Sequence, residues 1–305
     1  MIVLNNEKEI VEVESWEQIT ERHGFRQDID PRQHELASII GQYEFTDRVH
    51  CGLSNCRTPH NRGYLVVTKS GHETNIGNDC GHNYFGVEFT EMASRFDTDV
   101  RNKRSRAQLW SFKDRIPQVW DRINSIRGGA EGADALYKAV NVWMEWKKGQ
   151  VPSVLVREVT SMVRERRTRI IFQRIASEQE VQSIEATTGK DLGRPHYINE
   201  YSDEIQGIEA FYQDNNLKTI LIDDLSENLK EFEQFRIDAA PPRDLLTWAR
   251  WVSEVDANLD RAEALLPKYR KFLAPDNLNA FWPLVQGESI AEFTRYLETR
   301  PQFKG

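Results

Sequence analysis

Two short stretches, HCGLSNCRTPH at residues 50–60 and IGNDCGH at residues 76–82, contain every cysteine of this 305-residue chain. From Cys51 onward the spacing is Cys-x4-Cys-x3-His-x19-Cys-x-His. Zinc in structural sites is held by about four nitrogen and sulfur ligands, and a short loop between two cysteines can supply two of them. The sequence therefore predicts a zinc site whose sulfur ligands are Cys51, Cys56 and Cys80.

The spacing leaves the fourth ligand open among three histidines. His60 ends the first stretch, His82 follows the last cysteine by two residues, and His50 directly precedes the first cysteine. We expect His60 to be the fourth ligand, with His82 as the alternative and His50 as the weakest candidate. The competing interpretation is that the cysteines are small buried hydrophobic residues of a β-hairpin.

Residues 64–68 and 72–76 read as two strands joined by a tight turn, which predicts a β-hairpin between the two cysteine stretches. A loop with two cysteines, a hairpin and a last ligand leading into a helix resemble the treble-clef and zinc-ribbon modules. The resemblance covers residues 50–89 and brings no function with it.

The predicted zinc is structural. Three sulfurs and one imidazole would fill its coordination shell, whereas a catalytic zinc keeps a position open and needs a nearby base. Glu73 and Asp79 are the only acidic residues close to the ligands in sequence, and the His-Glu-x-x-His pattern is absent. We expect the metal to stabilise a hairpin too small to bury its own core.

Helical periodicity dominates the rest of the chain. Apolar residues recur at intervals of three and four from Phe89 onward, and residues 245–266 carry a seam about three heptads long. A Pro-Pro turn at residues 241–242 precedes this seam, which suggests an antiparallel helical hairpin. Residues 186–202 show no period and predict a loop.

These patterns predict a mainly α protein (α+β class) with a small N-terminal β-hairpin zinc module and long helices forming an antiparallel helical hairpin or bundle. The predicted divisions are an N-terminal module at residues 1–94, with the zinc hairpin at residues 45–90, a basic helical region at residues 95–185 and an acidic helical hairpin or bundle at residues 203–305.

The net charge of −8 is distributed unevenly along the chain. Residues 95–174 contain 18 Lys and Arg against 9 Asp and Glu, whereas the segments before and after them are acidic. Such a pattern bears on partners rather than on fold. Either acidic C-terminal helices pack beside the basic ones and neutralise them, or a basic face is exposed.

An exposed basic face would bind the phosphate backbone of a nucleic acid. The candidate residues lie in two stretches: Arg101, Lys103, Arg104, Arg106, Arg164, Arg166 and Arg167. A sequence pI near 5.5 instead favours solvated helix faces or intramolecular ion pairs. The pairs Trp143/Trp146 and Trp248/Trp251 have the spacing of core aromatic residues more than of a base-stacking platform.

The chain has no apolar run long enough for a membrane helix, and its first residues do not resemble a signal peptide. Three clustered cysteines favour a reducing compartment, so we expect a cytoplasmic protein without a membrane partner. The favoured function is a non-enzymatic, zinc-stabilised interaction or regulatory protein that docks on a protein partner through its helical body. The alternative is a nucleic-acid-binding protein, and the third possibility is a zinc-dependent hydrolase or nuclease.

Overall fold

A computed structural model describes residues 1–5, 9–145 and 150–303. The chain forms two compact units, each built from two segments. The first unit comprises Met1–Lys113 and Arg236–Val252, and the second comprises Asp114–Phe235 and Ser253–Gly305.

The first unit contains a five-stranded antiparallel sheet with the strand order β2-β1-β3-β4-β5. A short helix, α1 (Glu17–Thr20), separates β2 from β3. The strands are β1 (Ile2–Asn5), β2 (Ile10–Val13), β3 (Leu36–His50), β4 (Pro59–Thr68) and β5 (Glu73–Gly77). The prediction of a mainly α fold with only a small N-terminal hairpin is therefore wrong, because that hairpin is β4 and β5 of a larger sheet.

The extra strands were missed because they carry little local signal. The first two have four residues each, and β1 pairs with a distant part of the chain, Ile2 lying opposite Tyr43. The longest strand, β3, has three register shifts against β4. A strand with such irregularities does not show the regular two-residue alternation by which strands are recognised in a sequence.

Helix α2 (Asn78–Lys113) follows β5 directly and packs on one face of the sheet. Gly86 has a φ of 60°, which interrupts the helical geometry two turns after the helix begins. Beyond it, Phe89 packs in one cluster with Val66, and Phe96 packs in a second with Val3. These contacts fix the start of α2 beside the end of the sheet.

The second unit is mainly helical and also contains a two-stranded antiparallel sheet of β6 and β7. Among the described residues of the whole chain, no helix is both long enough and apolar enough to cross a membrane. Apart from short 3-10 helices, the remaining elements of the chain are α3 (Ile116–Arg127), α4 (Ala133–Asn141), α5 (Ser153–Glu165), β6 (Arg169–Ile175), α6 (Glu178–Thr188), β7 (Tyr197–Glu204), a π-helical segment (Thr219–Ser226), α7 (Glu227–Gln234), α8 (Pro242–Leu273, which begins in the first unit), α9 (Pro275–Asn279) and α10 (Glu288–Thr299).

Within the second unit, residues 215–226, which end in the π-helical segment, run antiparallel to the second half of α8. Asn258 Nδ2 donates to Asp224 Oδ2 at 3.0 Å, and the Tyr269 hydroxyl donates to the Asn215 carbonyl at 2.9 Å. Toward the end of α8 the buried leucine is Leu265, whereas the heptad seam in the sequence ends at Leu266, which is only half-buried.

Trp143 lies at the centre of the second unit and has no exposed surface. Its indole Nε1 donates to the Tyr296 hydroxyl at 2.7 Å. Four aromatic rings have their centroids within 6.4 Å of the indole, those of Phe272, Phe281, Phe293 and Tyr296. Trp143 is thus a core residue, and Trp146 lies outside the described residues.

Candidate metal centre

The three cysteines meet at one end of the five-stranded sheet. Cys51 and Cys56 lie in the loop between β3 and β4, and Cys80 lies in the first turn of α2, directly after β5. Their Sγ atoms all lie within 4.8 Å of one another, and Cys56 Sγ is 3.2 Å from Cys80 Sγ. The structure thus brings all three predicted sulfur ligands together, and this cluster could bind a metal ion.

Main-chain N–H groups point at the sulfurs of the loop. The amides of Leu53 and Gly77 form hydrogen bonds to Cys51 Sγ, and the Thr58 amide forms one to Cys56 Sγ. The Thr58 hydroxyl also lies 3.3 Å from Cys56 Sγ. Donors aimed at sulfur stabilise the thiolate, which is the form of cysteine that binds metal.

Two of the three thiols have pKa values above the ordinary value, which disfavours the thiolate form. Burial raises the pKa of Cys51 and, together with the neighbouring sulfurs, raises the pKa of Cys80 to about 12. Burial acts in the same direction on Cys56, but the hydrogen bonds from Thr58 outweigh it and lower the pKa of that thiol. Three adjacent thiolates repel one another, and the positive charge of a bound divalent cation offsets this repulsion, so that the cysteine ligands lose their protons.

The histidines do not complete this cluster in the structure. Among the described residues, neither His60 nor His82 belongs to the set of ligand atoms within 4.8 Å of one another. His82 is exposed, with Nδ1 3.1 Å from Thr90 Oγ1. His60 Nδ1 lies 3.1 Å from the Tyr43 hydroxyl, and its buried Nε2 has no hydrogen-bond partner among the described residues. Burial lowers the pKa of His60, which favours the neutral form that ligates metals.

His60 nevertheless lies close to the loop that holds Cys51, because it pairs with Val49 at the end of β3. Its ring packs against Gly77, where an added Cβ would come within 2.6 Å of the imidazole. The Tyr43 hydroxyl that contacts His60 also accepts a hydrogen bond of 3.2 Å from Asn75 Nδ2. Neither Tyr43 nor Asn75 was predicted from the sequence, although a fully buried asparagine inside a strand needs such partners.

The two acidic residues near the ligands differ in their availability. Glu73 accepts hydrogen bonds from Arg22 Nε at 2.6 Å and from the terminal nitrogen of that guanidinium at 2.9 Å. This ion pair engages both carboxylate oxygens. Asp79 is exposed in the first turn of α2.

The chain matches no known family model, no curated protein and no solved structure. Conclusions about its function therefore rest on the geometry of the sites it contains.

Gly81, next to Cys80, provides a test of how closely α2 packs at this centre. An added Cβ would lie 2.2 Å from the ring of Phe89, which is fully buried. Overpacking of this kind costs about 1–3 kcal/mol, so Gly81→Ala is expected to lower the free energy of unfolding by that amount in urea denaturation. Gly193→Ala, where no atom lies within 4 Å, is the matched control and is expected to change stability little. Equal stabilities of the two variants would contradict this packing.

The basic residues proposed for nucleic-acid contact are divided between the two units. In the first unit, Lys103 lies 3.2 Å from Asp99, Arg104 lies 3.9 Å from Glu12, and Arg101 is exposed. One further candidate there contacts a carbonyl, Arg106 donating to Ala240 at 3.4 Å.

In the second unit, the remaining three candidates also have intramolecular contacts. Arg164 lies 3.2 Å from Glu165, and Arg167 lies 2.8 Å from Glu158. Arg166 stacks over the Tyr212 ring at 5.0 Å. These contacts favour ion pairing within the chain over an open phosphate-binding surface.

Helices α3 and α8 show directly how acidic residues offset basic ones within the second unit. Arg115 lies 3.0 Å from Asp256, and Arg122 lies 2.6 Å from Asp260 and 2.9 Å from Glu263. Hydrogen bonds to Glu263 and Asp260 raise the pKa of Arg122. At least part of the basic middle segment is therefore neutralised by the acidic C-terminal segment.

Proposed function

We propose that this chain is a non-enzymatic interaction protein whose first unit is stabilised by one structural zinc ion bound to Cys51, Cys56 and Cys80. The supporting observation is the convergence of three sulfurs within 4.8 Å, with main-chain amides directed at the two that lie in the loop. Thiolates select zinc over the harder divalent cations. All three cysteines are free, which fits a reducing compartment, and we place the protein in the cytoplasm.

His60 is the better candidate for the fourth ligand. A metal-bound histidine is usually oriented by a partner on its other ring nitrogen, and the Tyr43 hydroxyl occupies that place for His60 Nδ1. The free nitrogen, Nε2, is buried without a partner among the described residues. His82 is exposed and has no comparable support, so it remains the alternative.

A zinc ion at this position would tie the β3–β4 loop to the start of α2. The Tyr84 hydroxyl already donates to the Asn55 carbonyl of that loop at 3.1 Å. Tyr84 and Val87 are 38% and 70% exposed. We propose that this metal-supported start of α2 contacts the protein partner, since exposed tyrosine and aliphatic side chains are typical of interface cores. The ion pair of Glu73 with Arg22 makes a hydrolytic role the less favoured assignment.

Metal analysis and cobalt substitution test the centre. The purified protein is expected to contain one zinc per chain, and the cobalt form is expected to show the absorption of a tetrahedral thiolate complex. His60→Ala should alter that spectrum, whereas His82→Ala and the half-buried control His72→Ala should not. Protein that contains no stoichiometric metal would disprove the zinc assignment, and a spectral change in His82→Ala alone would make that residue the ligand.

Photo-crosslinking tests the docking surface. A photoreactive residue at Val87 is expected to capture a defined partner from cell extract only when zinc is bound. The same residue at Leu246, which is 38% exposed in the first unit, serves as the control. Equal capture at both positions, or capture that persists after zinc removal, would contradict the proposed surface.

Nucleic-acid binding is the second candidate function, and a salt series tests it. The carboxylate partners of Lys103, Arg164 and Arg167 lead us to expect no oligonucleotide binding at low salt. Tight binding that weakens steeply with salt would instead show that phosphate contacts dominate, and it would replace the proposed function.

A further inference from the structure

The second unit contains a cavity of about 1130 Å³, larger than the volume of a typical small-molecule pocket, roughly 300–1,000 Å³. Its wall is formed by the turn between α3 and α4, by α4 itself and by α10 with the residues after it. Ala135, Ala139 and Val142 contribute an apolar surface to this wall. The cavity lies within one compact unit and is distinct from the cysteine cluster.

The charged residues of the cavity have an excess of cations. They are Arg127, Lys138, Arg295 and Arg300 against Asp134 and Glu292. Arg127 is neutralised by Asp134, with two hydrogen bonds of 3.1 Å each. The side chains of Lys138 and Arg295, in contrast, form no ion pair or hydrogen bond within the part of the chain that the structure describes. Their charge is available to a ligand.

Arg300 adds a buried donor that lacks an acceptor. Its Nη1 donates to the Leu273 carbonyl at 3.0 Å, which holds the guanidinium at the cavity wall. Its Nε is buried and has no hydrogen-bond partner among the described residues. A buried donor without an acceptor is unfavourable, so a ligand acceptor at this guanidinium would be stabilising.

The start of α4 contributes in the same direction. This nine-residue helix begins after Gly132, which has no side chain to cap it. The preceding Gly129 has a φ of 81°, a conformation that allows the tight turn from α3. The dipole of α4 favours an anion near this end, although Asp134 in the first turn already places one negative charge there.

We propose that this cavity binds a small molecule that carries phosphate groups. Arg295, Lys138 and Arg300 hold the phosphate oxygens together with the amides at the start of α4, because guanidinium and ammonium groups form charge-assisted hydrogen bonds with phosphate. The apolar wall on α4 contacts the remainder of the molecule. Glu292 lies in the same cavity and limits the affinity by repulsion.

Titration calorimetry with inorganic pyrophosphate at low ionic strength tests this proposal. One pyrophosphate is expected to bind per chain, and Arg295→Ala and Lys138→Ala should each weaken binding about tenfold or more. Glu292→Gln should strengthen it, since it removes the repulsive charge. Lys230→Ala, an exposed lysine on α7 away from the cavity, is the matched control and should leave binding unchanged.

Three outcomes would overturn the proposal. They are no detectable binding, equal weakening by Lys230→Ala, and competition by a single-stranded oligonucleotide at lower phosphate concentration than pyrophosphate. The last would identify a nucleic-acid backbone as the ligand. Arg295 and Lys138 are exposed, so both variants are expected to fold with unchanged circular dichroism and metal content. Failure here is thus distinguishable from failure of the zinc assignment.

Discussion

Replacing Cys51 by serine is expected to abolish stoichiometric zinc binding and to lower the free energy of unfolding of the first unit by about 4 kcal/mol or more. The serine hydroxyl is not ionised at neutral pH and is a poor zinc ligand. Cys51 also packs in the same buried cluster as Leu53, Ile76 and Phe89. Loss of the metal therefore loosens the loop from the core that it helps to close.

A comparison with and without metal separates the zinc ion from simple packing. Urea unfolding of the wild type and of Cys51→Ser is measured in zinc and after chelation. If zinc is the cause, the difference between the two proteins is large in zinc and small in the chelated state. If the cysteines are only small buried hydrophobic residues, the difference is the same in both conditions. Ser54→Ala, an exposed position in the same loop, is the control and should retain zinc and stability.

Cys80→Ser extends this test to the other side of the centre. It should cause a similar loss, because Cys80 joins the start of α2 to the loop that carries Cys56. Most of the helical circular dichroism should remain, since the second unit contains no ligand of the proposed zinc. A single cooperative loss of all helical signal would show that the two units do not unfold independently.

The sequence identified the cysteine cluster better than it identified the fold around that cluster. Cysteine spacing predicted that Cys51, Cys56 and Cys80 would converge, because all three lie at turns or element ends where short-range rules apply. The donors to the sulfurs of Cys51 and Cys56 are main-chain amides and the Thr58 side chain. Main-chain amides have no sequence signature, so this part of the centre could be described only from the structure.

The sheet was underestimated for a different reason. Its N-terminal strands are short, and their partners are brought together by tertiary contacts rather than by local turns. Strand β7 illustrates the same problem in the second unit. It begins within the stretch read as a loop because the sequence YINEYSDE at residues 197–204 is polar, yet it pairs with β6, where Tyr197 lies opposite Ile175. The polar sequence of β7 did not identify it as a strand, because α6 separates it in sequence from its partner, β6.

Trp143→Ala is expected to destabilise the second unit by about 3–5 kcal/mol while leaving the zinc content unchanged. The indole is fully buried among four aromatic rings, so its removal leaves a large cavity that the neighbours cannot close. Tyr296→Phe separates the hydrogen bond from the packing. It deprives the Trp143 Nε1 of its acceptor and should cost about 1–3 kcal/mol.

Trp110→Ala is the matched control for Trp143→Ala, since Trp110 is 46% exposed and lies in the first unit. Its loss should cost clearly less, because nearly half of the side chain is already exposed and its removal leaves no enclosed cavity. Urea unfolding followed by circular dichroism, with zinc measured on the same samples, distinguishes these variants. A large loss of zinc in Trp143→Ala would show that the core of the second unit supports the metal centre, and the two units would then have to be treated as one cooperative structure.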